Sequence, residues 1–238
     1  LVRDGAVGRV QLIQSWFSFY LPPEDADNIR LNPDLAGGAL WDVGVYPTSM
    51  AIAMTGGRPL EVWAQQVVGE TGVDLYWDRV PLAQQLASFR WQGELARGRD
   101  LPLLLHVRDP QGDDDPASRE AAAVLAEVGH RRGVLHCTNG HPGLLEVALG
   151  LGWYVSFAGN LTYPKATAVR DAALWVPEDR LLVETDAPYL APVPRRGRPN
   201  VPLNVRYTAA ELARLRGVDG GELERRLDAN ARVLFGLP

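Results

Sequence analysis

Four residues of this chain have the types and setting to surround a divalent ion: Glu70, His106, His136 and Asp186. Neutral imidazole and carboxylate together suit zinc, manganese or a similar metal. Each follows an apolar run: Gln65-Gln-Val-Val-Gly-Glu70, Leu101-Pro-Leu-Leu-Leu-His106, Gly133-Val-Leu-His136 and Arg180-Leu-Leu-Val-Glu-Thr-Asp186. A buried strand ending in one His, Glu or Asp, repeated along a chain, is how a parallel α/β barrel builds a metal site at the C-terminal mouth of its strands. Taken singly, a Glu in a turn or a His at a strand end is more often structural. The joint arrangement favours a hydrolytic metal centre. Glu184 stands two residues before Asp186, placed to orient a ligand or to bind metal itself. Arg108 lies two residues past His106, on the same side of an extended segment, where it could fork onto a phosphate or make a rim ion pair. Arg195, Arg196 and Arg198 follow the last of these runs as a loop that tracks a polyanion backbone or stays solvated. His130 and His141 fit no motif and read as surface residues.

The elements that must hold these groups alternate from Pro81 onward as strand and helix, the rhythm of βαβ units. Pro81 suits the first turn of a helix carrying Leu82, Leu86 and Phe89 on one face. Leu101 to Leu105 reads as a buried strand. Asp115-Pro116 opens an Ala-rich helix through Val128, which Gly129 or Gly133 closes before the strand Val134 to His136. Helix 144–149, strand 153–157, helix 166–174 and strand 181–183 continue the pattern. Two helices end the chain, the second opened by Asp219-Gly-Gly-Glu222 with capping-box spacing. The acidic stretch Gly112 to Asp115 reads as a solvated turn.

Residues 1–66 follow a different rule. Gly8 to Tyr20 alternates like a strand with one polar face, Pro59 to Val67 reads as another, and a helix lies between them, ending at Gly56-Gly57. Antiparallel pairing, hence an α+β segment, is expected there. Across all 238 residues, 46% hydrophobic content is enough for a sizeable core. The formal charge of −5 argues against bulk positive charge as a grip on nucleic acid, so a polyanion must be met locally by a metal or a few arginines. One cysteine, Cys137, rules out an intrachain disulfide and points to a reducing, cytoplasmic setting. No apolar stretch approaches membrane-spanning length, no signal-peptide pattern opens the chain, and no initiator Met is present, so the expectation is a start inside a longer ancestral domain.

Gly69-Glu-Thr-Gly-Val-Asp-Leu-Tyr-Trp77, Leu101 to Asp109, Gly133-Val-Leu-His-Cys137, Tyr154-Val-Ser-Phe-Ala-Gly159 and Leu182-Val-Glu-Thr-Asp-Ala-Pro-Tyr-Leu-Ala-Pro192 resemble the TatD-type metal-dependent deoxyribonucleases of the amidohydrolase-like barrel group. The likeness covers residues 67–238, including Arg196-Gly197, Asn200-Val-Pro202 and Asn230-Ala-Arg232. It implies a partial (β/α)8 TIM-type barrel and hydrolysis of DNA phosphodiesters. By the resemblance Glu70 bridges two metal ions, zinc, magnesium or manganese. His106 and His136 complete the second site, and Asp186 binds the first ion and the attacking water. Arg108, Arg196 and Asn200 are the implied phosphate contacts. The family's His-x-His pair, which supplies two ligands of the first site, has no counterpart here, so binding of one ion more readily than two is expected. The early barrel units have no counterpart either, and the open sheet edge is an expected place for homo-oligomerisation.

Asn28-Ile-Arg-Leu and Gly37-Gly-Ala-Leu-Trp-Asp-Val-Gly-Val-Tyr-Pro47 resemble part of the substrate domain of the Gfo/Idh/MocA oxidoreductases. There Tyr46 would be the acid or base and Asp42 its neighbour one helical turn away. No Gly-x-Gly-x-x-Gly follows a strand, so no NAD(P) binding is expected. The chain is therefore expected to be a chimera, natural or from joined reading frames: an oxidoreductase-derived segment, 1–66, ahead of a TatD-like hydrolase domain, 67–238. The rival readings are a non-catalytic fusion that binds a ligand or partner, and a sugar or diol oxidoreductase.

Overall fold

Five short strands run parallel in the order β1-β2-β3-β4-β5, each beside its predecessor in sequence. The computed structural model describes residues 71–76, 80–112 and 114–237, within a unit spanning Val67–Pro238. The elements are β1 (Thr71–Asp74), α1 (Leu82–Arg99), β2 (Leu103–Arg108), α2 (Pro116–Val128), β3 (Gly133–His136), α3 (Pro142–Gly150), β4 (Tyr154–Phe157), α4 (Thr167–Trp175), β5 (Leu181–Val183), α5 (Val205–Arg216) and α6 (Gly220–Phe235). A strand order that never reverses is the singly wound progression of an α/β barrel; a doubly wound sheet would switch direction. The expected α/β class is thus observed, and every element read from Pro81 onward is present. Residues 1–66, with Asp42 and Tyr46, and Glu70 with the run before it lie outside the described residues.

Alternation of side chains along each strand sorts the sheet into two faces. Val73, Leu103, Leu105, Val107, Leu135, Val155, Phe157 and Leu181 point outward, and Phe89, Ala96, Ala121, Val124, Leu144 and Ala172 of the helices pack on them in one core. Each such aliphatic or aromatic side chain contributes about 1.5–3 kcal/mol when fully buried. The inner face carries a smaller apolar cluster of Val134, Tyr154 and Leu182 with Leu104, onto which α6 lays Leu234 and Phe235. One pleat further along, the inner residues become His106, His136 and Ser156. The register pairs Leu104 with Val134 and His106 with His136, so apolar and polar rows stay separate across β2 and β3, whereas Ser156 pairs with Leu182 at β5.

Local chemistry sets the element ends. Pro81 occupies the N-cap position of α1, and the helix starts at Leu82. Pro116 sits in the first turn of α2, and Gly129, at φ 62°, closes it by donating its N–H to Leu125 O. The side chain of Asp219 accepts from Glu222 N at the start of α6, as its spacing predicts. Three expectations need correction. His106 is not the last residue of its strand, because β2 runs on to Arg108. His130 is buried, its Nε2 2.8 Å from Leu101 O and its carbonyl accepting from the indole of Trp153, a side chain with no exposed surface. His141 is the N-cap of α3: Nδ1 accepts from Leu144 N at 3.1 Å, which leaves the proton on Nε2 to be donated to Asp115 Oδ2 at 2.6 Å. Asp115 therefore does not cap α2 with its side chain. None of the described helices is long and apolar enough to cross a membrane.

Two predictions follow from these joints. Buried Asn230 on α6 donates to Glu178 O at 2.9 Å and to Leu181 O at 2.8 Å, gripping the entry to β5. Asn230→Ala should cost about 1–3 kcal/mol in urea unfolding, because two buried carbonyls lose their donor; an unchanged midpoint would show the grip to be idle. The hydrogen bond from His141, with help from the Arg119 charge, holds the Asp115 carboxyl below its ordinary range. A depressed folded pKa stabilises the fold above the unfolded value, roughly pH 4, and that contribution is lost as pH falls through the folded value. Thermal midpoints of wild type and Asp115→Asn should differ at neutral pH and converge in acid.

Candidate metal centre

Glu184 reaches from the end of β5 to the end of β3. Its Oε2 accepts from Cys137 N at 3.2 Å, and its Oε1 lies 2.7 Å from His136 Nδ1. The inward residue of the strand between them is Ser156, buried and small enough to leave room for the meeting. The second imidazole nitrogen of His136, Nε2, is 3.6 Å from Asp186 Oδ1. One ligand atom from each of His136, Glu184 and Asp186 can be chosen so that all three lie within 4.8 Å of one another. Ligands at about 2.0–2.2 Å from a common ion stand up to roughly 4.4 Å apart, so little movement closes the set. Glu184 Oε1 is buried and accepts no well-aligned hydrogen bond among the described residues. A buried carboxylate oxygen with no hydrogen-bond donor is a position that a cation could fill. An imidazole with two carboxylates is a donor set that fits zinc or manganese.

The backbone at this point is held in an unusual shape. Asp186 has φ 54° and Leu190 φ 50°, left-handed values that cost non-glycine residues free energy unless the surroundings enforce them. The enforcement comes from Asn200. Its buried amide donates to Thr185 O and to Tyr189 O, both at 2.7 Å, and its own N–H bonds Pro188 O at 2.9 Å. A turn bond from Tyr189 N to Asp186 O, 2.8 Å, closes the segment. From the other side comes Gly159: a Cβ there would stand 1.9 Å from Leu190 O, so only glycine lets the loop after β4 come this close. Tyr163, on that same loop, donates its hydroxyl to Ala191 O at 3.0 Å, and burial pushes its phenol up, which keeps the donor protonated.

Of the residues singled out in the sequence, His136, Glu184 and Asp186 lie together. His106 is a neighbour, with its ring centroid 5.9 Å from that of His136. Its Nε2 stands 3.5 Å from Asp74 Oδ2, a residue that motif reading passed over. Arg108 is exposed, its guanidinium 3.7 Å from the centre of the Tyr76 ring. Arg196 lies 4.3 Å over the Tyr163 ring. Asn200 spends its side chain on backbone carbonyls and on Asn204, so its work is to shape the Asp186 segment.

A family model described as TatD related DNase matches residues 37–236. The match begins inside the stretch whose motifs resemble an oxidoreductase. The chain is similar to the uncharacterized metal-dependent hydrolase YcfH of Escherichia coli K12, 41% identical over 168 residues, which are 71% of this chain and 62% of that protein. The chain thus spans less than two thirds of that relative's length. It is also similar to the 3'-5' ssDNA/RNA exonuclease TatD of Pantoea vagans, 34% identical over 84% of this chain and 79% of that one. Among solved structures, that of YjjV, a TatD homologue from Escherichia coli, superposes with a TM-score of 0.65 at 31% identity, covering 86% of this chain and 73% of that one.

The geometry predicts distinct metal affinities for the variants. Asp186→Asn and Glu184→Gln should each weaken zinc or manganese binding by about 10- to 100-fold in a competition titration with a chromophoric chelator, with far-ultraviolet dichroism unchanged. Affinity equal to wild type in both would remove these carboxylates from the site.

Proposed function

Since the chain belongs to the TatD-related DNase family, several of whose matched relatives are named as metal-dependent hydrolases, we propose that it is a metal-dependent phosphodiester hydrolase acting on DNA. The observation that carries this reading is the meeting of His136, Glu184 and Asp186 at the C-terminal ends of β3 and β5. A zinc, magnesium or manganese ion bound there would supply Lewis acidity to a phosphodiester oxygen and lower the pKa of water, which is the chemistry such hydrolysis needs. Around it, His136 presents a ring that Glu184 Oε1 approaches to 2.7 Å, and the other oxygen of Glu184 is held by Cys137 N. Asp186, whose left-handed backbone is fixed by the Asn200 contacts, is the carboxylate that would orient the attacking water and take its proton. His106 and, by resemblance, Glu70 extend the donor set toward a second ion. Arg108 and Arg196 offer planar donors to phosphate oxygens.

Three further elements belong to the same proposal. Residues 1–66 derive from a Gfo/Idh/MocA-type substrate domain, on the strength of Gly37 to Pro47, with Tyr46 and Asp42 as its former site and no NAD(P) bound. A reducing, cytoplasmic setting agrees with the presence of one cysteine in 238 residues. Among the described residues β1 and β5 are each paired on one side only, which suits association through a sheet edge.

A nuclease assay on DNA with and without manganese tests the reading. Activity should require the ion, vanish with chelator, and fall by about 100-fold or more in His136→Ala. Chelator-insensitive activity, or a His136→Ala protein as active as wild type, would refute the site. A purified protein with bound metal and no turnover would favour a non-catalytic fusion.

A further inference from the structure

Tyr189 is a large aromatic side chain with 70% of its surface exposed, yet both polar groups of its backbone are hydrogen-bonded. Its N–H bonds Asp186 O at 2.8 Å, and its carbonyl accepts from Asn200 at 2.7 Å. A four-residue turn of this kind keeps its end Cα atoms within about 7 Å, so the tyrosine stands beside Asp186. Packing does not account for it: the ring is open to solvent while the main chain is locked. A rigid backbone presenting a bare aromatic face next to a reaction centre is costly for folding and useful for recognition. The adjoining loop adds charge. Arg196 is held over the Tyr163 ring at 4.3 Å, and Arg195 lies 5.8 Å from the Tyr207 ring. Both arginines are exposed, and neither forms an ion pair with a carboxylate among the described residues.

We propose that Tyr189 is a stacking platform for an unpaired nucleobase adjoining the phosphodiester at Asp186, with Arg195 and Arg196 guiding the strand's phosphates away from it. The inference deepens the hydrolase reading and rests on it for the position of the reacting bond. A ring face attracts any base, because every base has a π-face, so the platform selects unpaired nucleotides without selecting sequence. A base held in a duplex is already stacked and paired and gains little from it. Tyr189 is on this view a positioning residue that acts on binding and leaves the chemistry at His136, Glu184 and Asp186 untouched.

The test is fluorescence anisotropy in chelator, which stops cleavage, with a labelled short oligothymidylate and a matched oligomer of abasic sites. Wild type should bind the base-bearing oligomer about tenfold more tightly than the abasic one. Tyr189→Ala should abolish that preference and Tyr189→Phe should keep it. Arg196→Gln should weaken binding of both oligomers alike and lessen its salt dependence. Equal binding of the two oligomers by wild type, or a tenfold preference surviving in Tyr189→Ala, overturns the platform. Metal-dependent turnover measured separately keeps the two ideas apart: turnover with no Tyr189 effect sinks only the platform, and a Tyr189-dependent preference without turnover sinks only the hydrolase.

Discussion

In-register pairing of parallel strands is the constraint from which the rest of this unit follows. With Leu104 opposite Val134 and His106 opposite His136, every second residue falls on the inner face at a common height. A shift of one position in any strand would send its imidazole or carboxylate into the helix-packed core and bring a leucine into the site. The outer aliphatic layer therefore does more than stabilise. By making the shift expensive, it keeps ligands from distant parts of the chain on one face of the sheet.

That dependence explains what could be read in advance. The run-then-ligand segments before His136 and Asp186 were visible because a buried strand has few ways to be written, and Leu181 to Val183 was placed to the residue. The cap at Asp219 was equally visible, since its partner is three residues away. Joints between distant segments were not. His130 and His141 looked like solvent residues because their partners, Leu101 O, Trp153 and Asp115, lie many positions off. Asn200 resembled a phosphate contact by motif alone, and only the folded loop reveals an amide shared among backbone carbonyls. Asp74 was overlooked because nothing local distinguishes it from an ordinary strand-end acid.

Two of the four left-handed non-glycine backbones among the described residues fall in one short segment. Asp186 and Leu190 take left-handed backbones within five residues, and the groups that enforce this come from Asn200 downstream and Gly159 upstream. Hydrogen bonds and one glycine-sized gap maintain the shape, with little apolar packing on the segment itself. Such a construction fixes the carboxylate's direction and leaves the outward side chains free to vary with the ligand they meet.

The inner apolar layer has a further effect. Leu104, Val134, Tyr154 and Leu182, with Leu234 and Phe235 of the last helix packed on them, form an apolar floor under His106 and His136. The hydrocarbon beneath lowers the local dielectric, which lengthens the reach of each carboxylate's field and makes an uncompensated negative charge there hard to sustain.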